Sequence, residues 1–444
     1  MLHRNKRLTI GQWFVTVTAF VMLVGACLGS VMLIFGGGSY ERAANLEASS
    51  LADAEVSELV GTTQYAKSNT PSNHSLWAAL TKTFHLPFAD PLGLLTAELP
   101  ETFTPLQEAS LSQSSLFSSI AAWATSTRKI ALGWAPADSV SNMEQMLIDN
   151  PGINVISPTW LQVASDSGNV TSQVKPQVVD FAHQRHVQIW ALVDNQFKQK
   201  LTHNLLSNQQ STETLINNLV QIAKANHLDG INVDFENMDS RDRDSFTHFI
   251  ANLHSALAPL HIDLSVDITP DIVNLQDDEV FFHAGLASYC DQIILMAYDE
   301  HWATDPTPGP VADVPWVTNS VDDLLNTGVP TDKMVLGLPF YTRFWHVHND
   351  GHVTSVNVGA GQVESILKEH HATGVWDDSL GVMYAKYPTS DGYVEVWYET
   401  QKTLARKLSL VNDTGLGGVA VWSLYWSNGN TWSNLVQALR QSLS

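Results

Sequence analysis

Leu228-Asp229-Gly230-Ile231-Asn232-Val233-Asp234-Phe235-Glu236-Asn237 is the stretch on which the reading of the whole chain turns. Side chains alternate faces along a β-strand, so Asn232, Asp234 and Glu236 share one face while Ile231, Val233 and Phe235 share the other. In a parallel barrel strand the apolar set meets the surrounding helices and the polar set points inward. Glu236 then comes last, at the C-terminal end where barrel active sites lie. An amide and two carboxyls side by side are costly to bury unless they are hydrogen-bonded or used. Two adjacent carboxylates also push one pKa upward, which suits a carboxyl group that must still hold its proton near neutrality. Asp229 is off this parity and reads as a cap or brace.

This strand is the fourth of eight β-rich runs. The others are Ile130 to Trp134, Ile153 to Ser157, Val187 to Val193, Ile262 to Asp267, Gln292 to Tyr298, Lys333 to Phe340 and Gly418 to Trp422. Amphipathic segments separate them; Thr212 to Asn226, for example, carries Leu215, Leu219, Ile222 and Ala223 at helical spacing. Eight strands alternating with helices over about 300 residues predict an α/β fold, a (β/α)8 TIM barrel, over 129–444. A doubly wound open sheet is the alternative, and strand count and length favour the barrel. The gap from about 342 to 395 is too long for a loop and carries strand and helix patterns of its own. It is expected to form a small α+β insertion between strands seven and eight, rising beside the active-site face.

The N-terminus bears on location. Arg4, Lys6 and Arg7 precede an uncharged apolar run from Leu8 to Phe35. That run exceeds the ~20 residues needed to span a bilayer. Basic residues before the span place residue 1 in the cytoplasm and the rest outside. Residues 1–36 are therefore read as a basic tip and single-pass anchor in the cell membrane, and 37–128, rich in Ser, Thr, Ala and Leu, as a stalk with short helices. Two rival readings stay open, a lipoprotein box at Val24-Gly25-Ala26-Cys27 and an ordinary cleaved signal; all three put the bulk of the chain outside.

Composition narrows the partner. Lys+Arg 23 against Asp+Glu 45 gives a net charge of -22, which argues against nucleic acid and favours a neutral or amphoteric substrate. Of two cysteines, Cys27 lies in the apolar run, which leaves Cys290 alone and excludes a disulfide scaffold or a cysteine zinc site. His346, His348 and His352 sit close together but read as an exposed loop. Among 14 tryptophans, Trp160 and Trp302 each follow a barrel strand and are favoured as groove residues that stack on a ligand.

Asp229-Gly230-Ile231-Asn232-Val233-Asp234-Phe235-Glu236 resembles the DxxDxDxE signature of glycoside hydrolase family 18, with Asn232 where the common pattern has its second Asp. The variant resembles the branch of bacterial spore-cortex and cell-wall N-acetylglucosaminidases. Gly133-Trp134-Ala135, Val155 to Trp160, Met296 to Trp302, Gly309 to Ala312, Gly337 to Tyr341, Val396 to Glu399 and Trp422 extend the likeness over about 129–440. The resemblance implies hydrolysis of an N-acetylated polysaccharide, with no metal or other cofactor. Glu236 would be general acid, then base. The substrate's own 2-acetamido carbonyl would be the nucleophile, with Asp234 orienting the acetamide and Tyr298 bonding its carbonyl. Asp299 and Trp422 would contact the reacting sugar, and Asn232 would orient Asp234. A catalytically silent sugar-binding protein or a wall-assembly scaffold on the same barrel is the alternative; retention of Glu236, Asp234 and Tyr298 argues against silence.

The charge asymmetry around the apolar run generates a test. Protease added to intact protoplasts should remove everything after about residue 36, detected with an antibody to the C-terminal region. Full protection of that region would overturn the topology.

Overall fold

A strand with one face apolar and the other polar is stable only if it finds helices on one side and a closed interior on the other. The eight β-rich runs meet that demand together. The computed structural model describes residues 129–270 and 280–427. Its first strands are β1 (Ile130–Ala135), β2 (Val155–Pro158), β3 (Leu161–Val163), β4 (Val170–Ser172), β5 (Gln188–Asp194), β6 (Gly230–Asp234), β7 (Asp263–Ile268), β8 (Gln292–Met296) and β9 (Met334–Pro339). The insertion supplies β10 (Tyr341–His348), β11 (Val353–Gly359), β12 (Val375–Asp377), β13 (Val382–Pro388) and β14 (Gly392–Tyr398), and β15 (Gly418–Trp422) completes the set.

The order β2-β1-β15-β9-β8-β7-β6-β5 is parallel throughout, and β2 pairs with β5 through Val155↔Gln188 and Ile156↔Ile189. That last pairing closes an eight-stranded parallel barrel and rules out the open sheet. Each of its strands falls on one of the eight runs. The short hairpin of β3 and β4 was not anticipated: β3 runs beside the end of β5, with Gln162 opposite Asp194.

The period-two reading of β6 accounts for both of its faces. Ile231, Val233 and Phe235 are fully buried. The Phe235 ring stacks on Phe249 at 5.7 Å and lies 6.0 Å from Phe246, both on the helix Arg243–Leu257. The helix Gln209–Ala225 starts three residues before the amphipathic pattern, because the Asn208 side chain caps it by accepting from the Ser211 amide. Leu215, Leu219 and Ala223 are its buried stripe.

At the N-terminal end of the barrel, acids brace neighbouring strands. Asp229 accepts from the Ile189 amide and from His183 Nε2, each at 2.8 Å, and Asp291 accepts from the Leu264 amide.

The insertion is a five-stranded antiparallel sheet, ordered β11-β10-β14-β13-β12, with the helix Val363–Glu369. It packs its own cluster around Phe344, Val358, Leu367, Val394 and Val396. Trp345 Nε1 donates to the Gly309 carbonyl, and Ser355 Oγ to that of Ala303, so the sheet stands against the segment after β8. His346 and His348 correct the loop reading: both lie on β10 and are half-buried, and only His352 occupies an exposed turn. The pattern Trp345-His346-Val347-His348 alternates as a strand does, with both histidines on one face.

Among the described residues, no helix is long and apolar enough to cross a membrane. The expected anchor at 1–36 and stalk at 37–128 lie outside the described residues.

Asp263, half-buried between the braces, is pushed up to about 6, by burial first and then by Asp291 and Asp229. A carboxyl whose folded pKa exceeds its unfolded value stabilises the fold at acid pH, and that contribution is lost as pH rises through the folded pKa. Asp263 should therefore contribute stability that disappears between about pH 4 and pH 7. Urea unfolding at both pH values should show Asp263→Asn losing about 2 kcal/mol less than wild type over that interval. Identical pH dependence in the two proteins would contradict this.

Candidate active site

The site is built around a buried amide. Asn232 is 0% exposed, and its side chain makes four hydrogen bonds. Its Oδ1 accepts from Trp134 Nε1 at 3.0 Å and from Ser157 Oγ at 2.9 Å. Its Nδ2 donates to Ser265 Oγ at 3.0 Å and to Asp267 Oδ1 at 2.7 Å. Two acceptor positions and two donors are all that an amide offers. Side chains from β1, β2, β6 and β7 are thus joined at one point inside the barrel. Both of the Nδ2 donations run to β7.

Two residues further along β6, Asp234 is buried at 1% exposure, opposite Asp194 of β5. The strand ends there, and Glu236 sits two residues past it, half-buried. Its backbone is held by a reciprocal pair: Asn195 Nδ2 donates to the Glu236 carbonyl at 2.7 Å, and the Glu236 amide donates to Asn195 Oδ1 at 3.1 Å. Asn195 in turn is fixed by Thr202 Oγ1 at 2.9 Å. The backbone that carries this loop carboxyl is thereby tied down on both its amide and its carbonyl.

Just past β8, Tyr298 is nearly buried and sets its ring edge against Trp134, with centroids 6.3 Å apart at 83°. Trp134 makes a second edge contact with Trp422 at 6.0 Å, and Trp422 keeps a partly exposed face. Asp299 takes a left-handed backbone, φ 59°, a conformation uncommon outside glycine. Its carboxylate accepts from the Tyr341 hydroxyl and lies 3.6 Å from the Arg343 guanidinium. Burial, and then the Asp299 charge, push the Tyr341 phenol well above its ordinary value, so it remains a donor. Glu300 is pushed up to about 7, chiefly by burial. Its carboxylate accepts from the Asp313 amide at 2.9 Å, which ties it to the end of its own loop.

Of the two tryptophans favoured for the groove, Trp302 is half-buried in the segment after β8 and keeps exposed surface. Trp160 does not: it is 1% exposed and packed in the barrel core. The β3–β4 hairpin accounts for the difference: the chain runs on from Trp160 into β3, reverses after Val163, and comes back so that the Gln173 amide donates to the Trp160 carbonyl. A ring enclosed in this way has no face for a sugar.

Sequence reasoning missed Asp267, Asn195, Tyr341 and Arg343. Asp267 was detectable, because Ser265-Val266-Asp267 alternates as Asn232-Val233-Asp234 does. The other three carried no local signal; each matters through a partner at least 41 residues away.

Residues 133–426 match the model of glycosyl hydrolases family 18. The chain is 25% identical over 287 residues to the glycosylase YvbX of Bacillus subtilis, covering 62% of this chain and 80% of that one. It is 23% identical over 251 residues to a cortical fragment-lytic enzyme of Bacillus anthracis, covering 54% of this chain and 56% of the relative. In structure it resembles the C-terminal domain of a chitinase from Desulfitobacterium hafniense, with TM-score 0.65, 24% identity, and coverage of 71% and 99%.

Asn232→Ala removes the partner of four buried polar groups at once. Leaving such groups unsatisfied costs about 1–3 kcal/mol for each one that water cannot reach. The variant should lose about 2–4 kcal/mol of unfolding free energy in a urea titration followed by tryptophan fluorescence. A loss within ~0.5 kcal/mol would mean that the network contributes little.

Proposed function

The chain belongs to glycosyl hydrolases family 18, and from that premise we propose a membrane-anchored, extracellular glycosidase. It cleaves β-linked N-acetylglucosamine in wall glycan, peptidoglycan first and chitin-like oligosaccharide second, by substrate-assisted retaining hydrolysis. The observation that carries the reading is the graded row on β6: an enclosed Asn232, a buried Asp234 and a half-buried Glu236 at the mouth. The name of the Bacillus anthracis relative supports a wall-type substrate, and the charged N-terminus with its apolar run supports the anchor.

The chemistry follows from where the carboxyls lie. Successive same-face residues on one strand are about 6–7 Å apart by rise, so both acids approach the sugar from one side. They do not flank the scissile bond, as a paired acid and nucleophile would. Asp234, buried in the floor, is badly placed to attack the anomeric carbon and well placed to receive an acetamide N–H. Glu236 gives its proton to the leaving oxygen. The acetamide carbonyl oxygen attacks the anomeric carbon as the glycosidic bond breaks, with Tyr298 donating to that carbonyl and an oxazolinium ion as the product. Intramolecular attack gains from orientation already fixed within the ring. Glu236, now a carboxylate, takes a proton from the water that opens the ion, and configuration is retained. Trp422 offers the sugar an apolar floor, and Asp299, held by Tyr341 and Arg343, a polar wall.

The proposal requires a 2-acetamido group on the reacting sugar. Matched oligomers of glucose and N-acetylglucosamine should differ, with only the latter cleaved, and NMR should show the β-anomer first. Glu236→Gln should keep ligand binding and lose roughly 10²–10⁴-fold in kcat. Equal rates on the two oligomers, or an inverted first product, would overturn the mechanism; binding without turnover by wild type would leave a sugar-binding protein.

A further inference from the structure

The insertion carries a side-chain cluster that the glycosidase chemistry does not use. His346 and His348 share one face of β10, two residues apart, with ring centroids 3.9 Å from each other. Both face Asp391, in the turn between β13 and β14. His346 Nε2 is 3.1 Å from Asp391 Oδ1, and His348 Nδ1 is 2.9 Å from Asp391 Oδ2. The three donor atoms all lie within 4.8 Å of one another. We propose that His346, His348 and Asp391 form a binding site for a divalent transition-metal ion of zinc type, which clips the β13–β14 turn to the end of β10.

The donor set selects the class of ion. Two imidazoles and one carboxylate suit Zn²⁺ and its first-row neighbours, whereas Ca²⁺ and Mg²⁺ prefer all-oxygen shells. Zinc sits about 2.0–2.1 Å from such ligands in a tetrahedron, whose edges are then roughly 3.3 Å. The two imidazoles approach different oxygens of Asp391, at 3.1 and 2.9 Å, so a four-coordinate ion takes one of those oxygens, and rotation of the exposed carboxylate together with the imidazoles closes the shell from atoms already within 4.8 Å of one another.

The surroundings support the ligands as an outer shell does in metal sites. His348 Nε2 lies 3.3 Å from Thr354 Oγ1, which leaves Nδ1 as the ligating atom. Thr389 Oγ1 donates to Asp391 Oδ1 at 3.2 Å; its 3.0 Å contact with His346 Nε2, the ligating atom itself, is one that the ion would displace. The backbone holds the two turns together as well, because the Asn349 amide donates to the Asp391 carbonyl at 2.7 Å. Gly392 permits this approach: a Cβ there would meet the Val347 carbonyl at 2.0 Å. With three protein ligands at a partly exposed position, the fourth is left to water.

The site is not a cofactor site for the proposed hydrolysis. β10 touches the candidate active site through Tyr341, and the histidines lie five to seven residues further on, roughly 20 Å at strand rise. Chelation should leave turnover of short oligomers unchanged while lowering the melting temperature.

The test is calorimetric titration of the untagged full-length chain with Zn²⁺. One equivalent should bind to wild type, and the double variant His346→Ala/His348→Ala should bind it more than tenfold more weakly. Zinc-edge X-ray absorption on the wild-type complex should show two imidazole ligands with oxygen completing the shell, a readout that does not depend on the variant folding. Absence of saturable binding to wild type, undiminished binding by the double variant, or a shell lacking two imidazoles would each overturn the proposal.

Discussion

Everything in the barrel interior hangs on the satisfied amide of Asn232. A barrel this size is filled by side chains, and apolar ones are the ordinary solution. Here the centre is polar, so every donor and acceptor must find a partner or cost free energy. Asn232 meets that constraint with four bonds to three other strands of the barrel. Because the amide bonds to β1, β2 and β7 together, it sets the rotation of β6 about its own axis. That rotation aims Asp234 into the floor and carries Glu236 to the rim. The apolar parity of Phe235 against Phe246 and Phe249 enforces the same rotation from outside. Two independent packing demands thus agree on where the proposed proton donor stands.

The contact with Asp267 also makes sense of one substitution in the motif. An Asp in place of Asn232 would set a second carboxylate 2.7 Å from Asp267, at the contact that Asn232 Nδ2 now fills. One proton would have to be kept between them, since like charges so close disfavour joint ionisation. With an amide, the link to β7 holds whatever the proton count. The chain therefore keeps the geometry of the row without a shared proton at its base.

What could be read from the sequence was whatever repeats locally. The eight strands were legible because β-rich runs and helical periods alternate along the chain, and the row on β6 was legible because period two separates its faces. Asp229 was legible as a brace for the same reason, being out of phase. The remainder depended on contacts between distant segments. Trp160 follows a strand as Trp302 does, and nothing in its neighbours reports that the β3–β4 hairpin encloses it. His346 and His348 meet Asp391, 43 residues after the second of them, only once β10 and β14 pair. Asn195 and Arg343 are likewise ordinary residues until the fold brings Glu236 and Asp299 to them.

The insertion is therefore part of the site and not an ornament beside it. Its first strand leaves β9 at the mouth and immediately supplies Tyr341 and Arg343 to Asp299. Arg343 is 2% exposed, and a guanidinium so enclosed needs an anion near it; Asp299, Ser355 Oγ at 3.4 Å and the Trp345 face at 5.9 Å are what it has. Asp299, in a left-handed backbone, is thus engaged as an acceptor from the Tyr341 hydroxyl and as the ion-pair partner of Arg343. Asp234 is sunk in the floor, and Glu300 is bound to the Asp313 amide. Glu236, half-buried with its backbone pinned by Asn195, is the acid of this rim on which the proposed proton transfer rests.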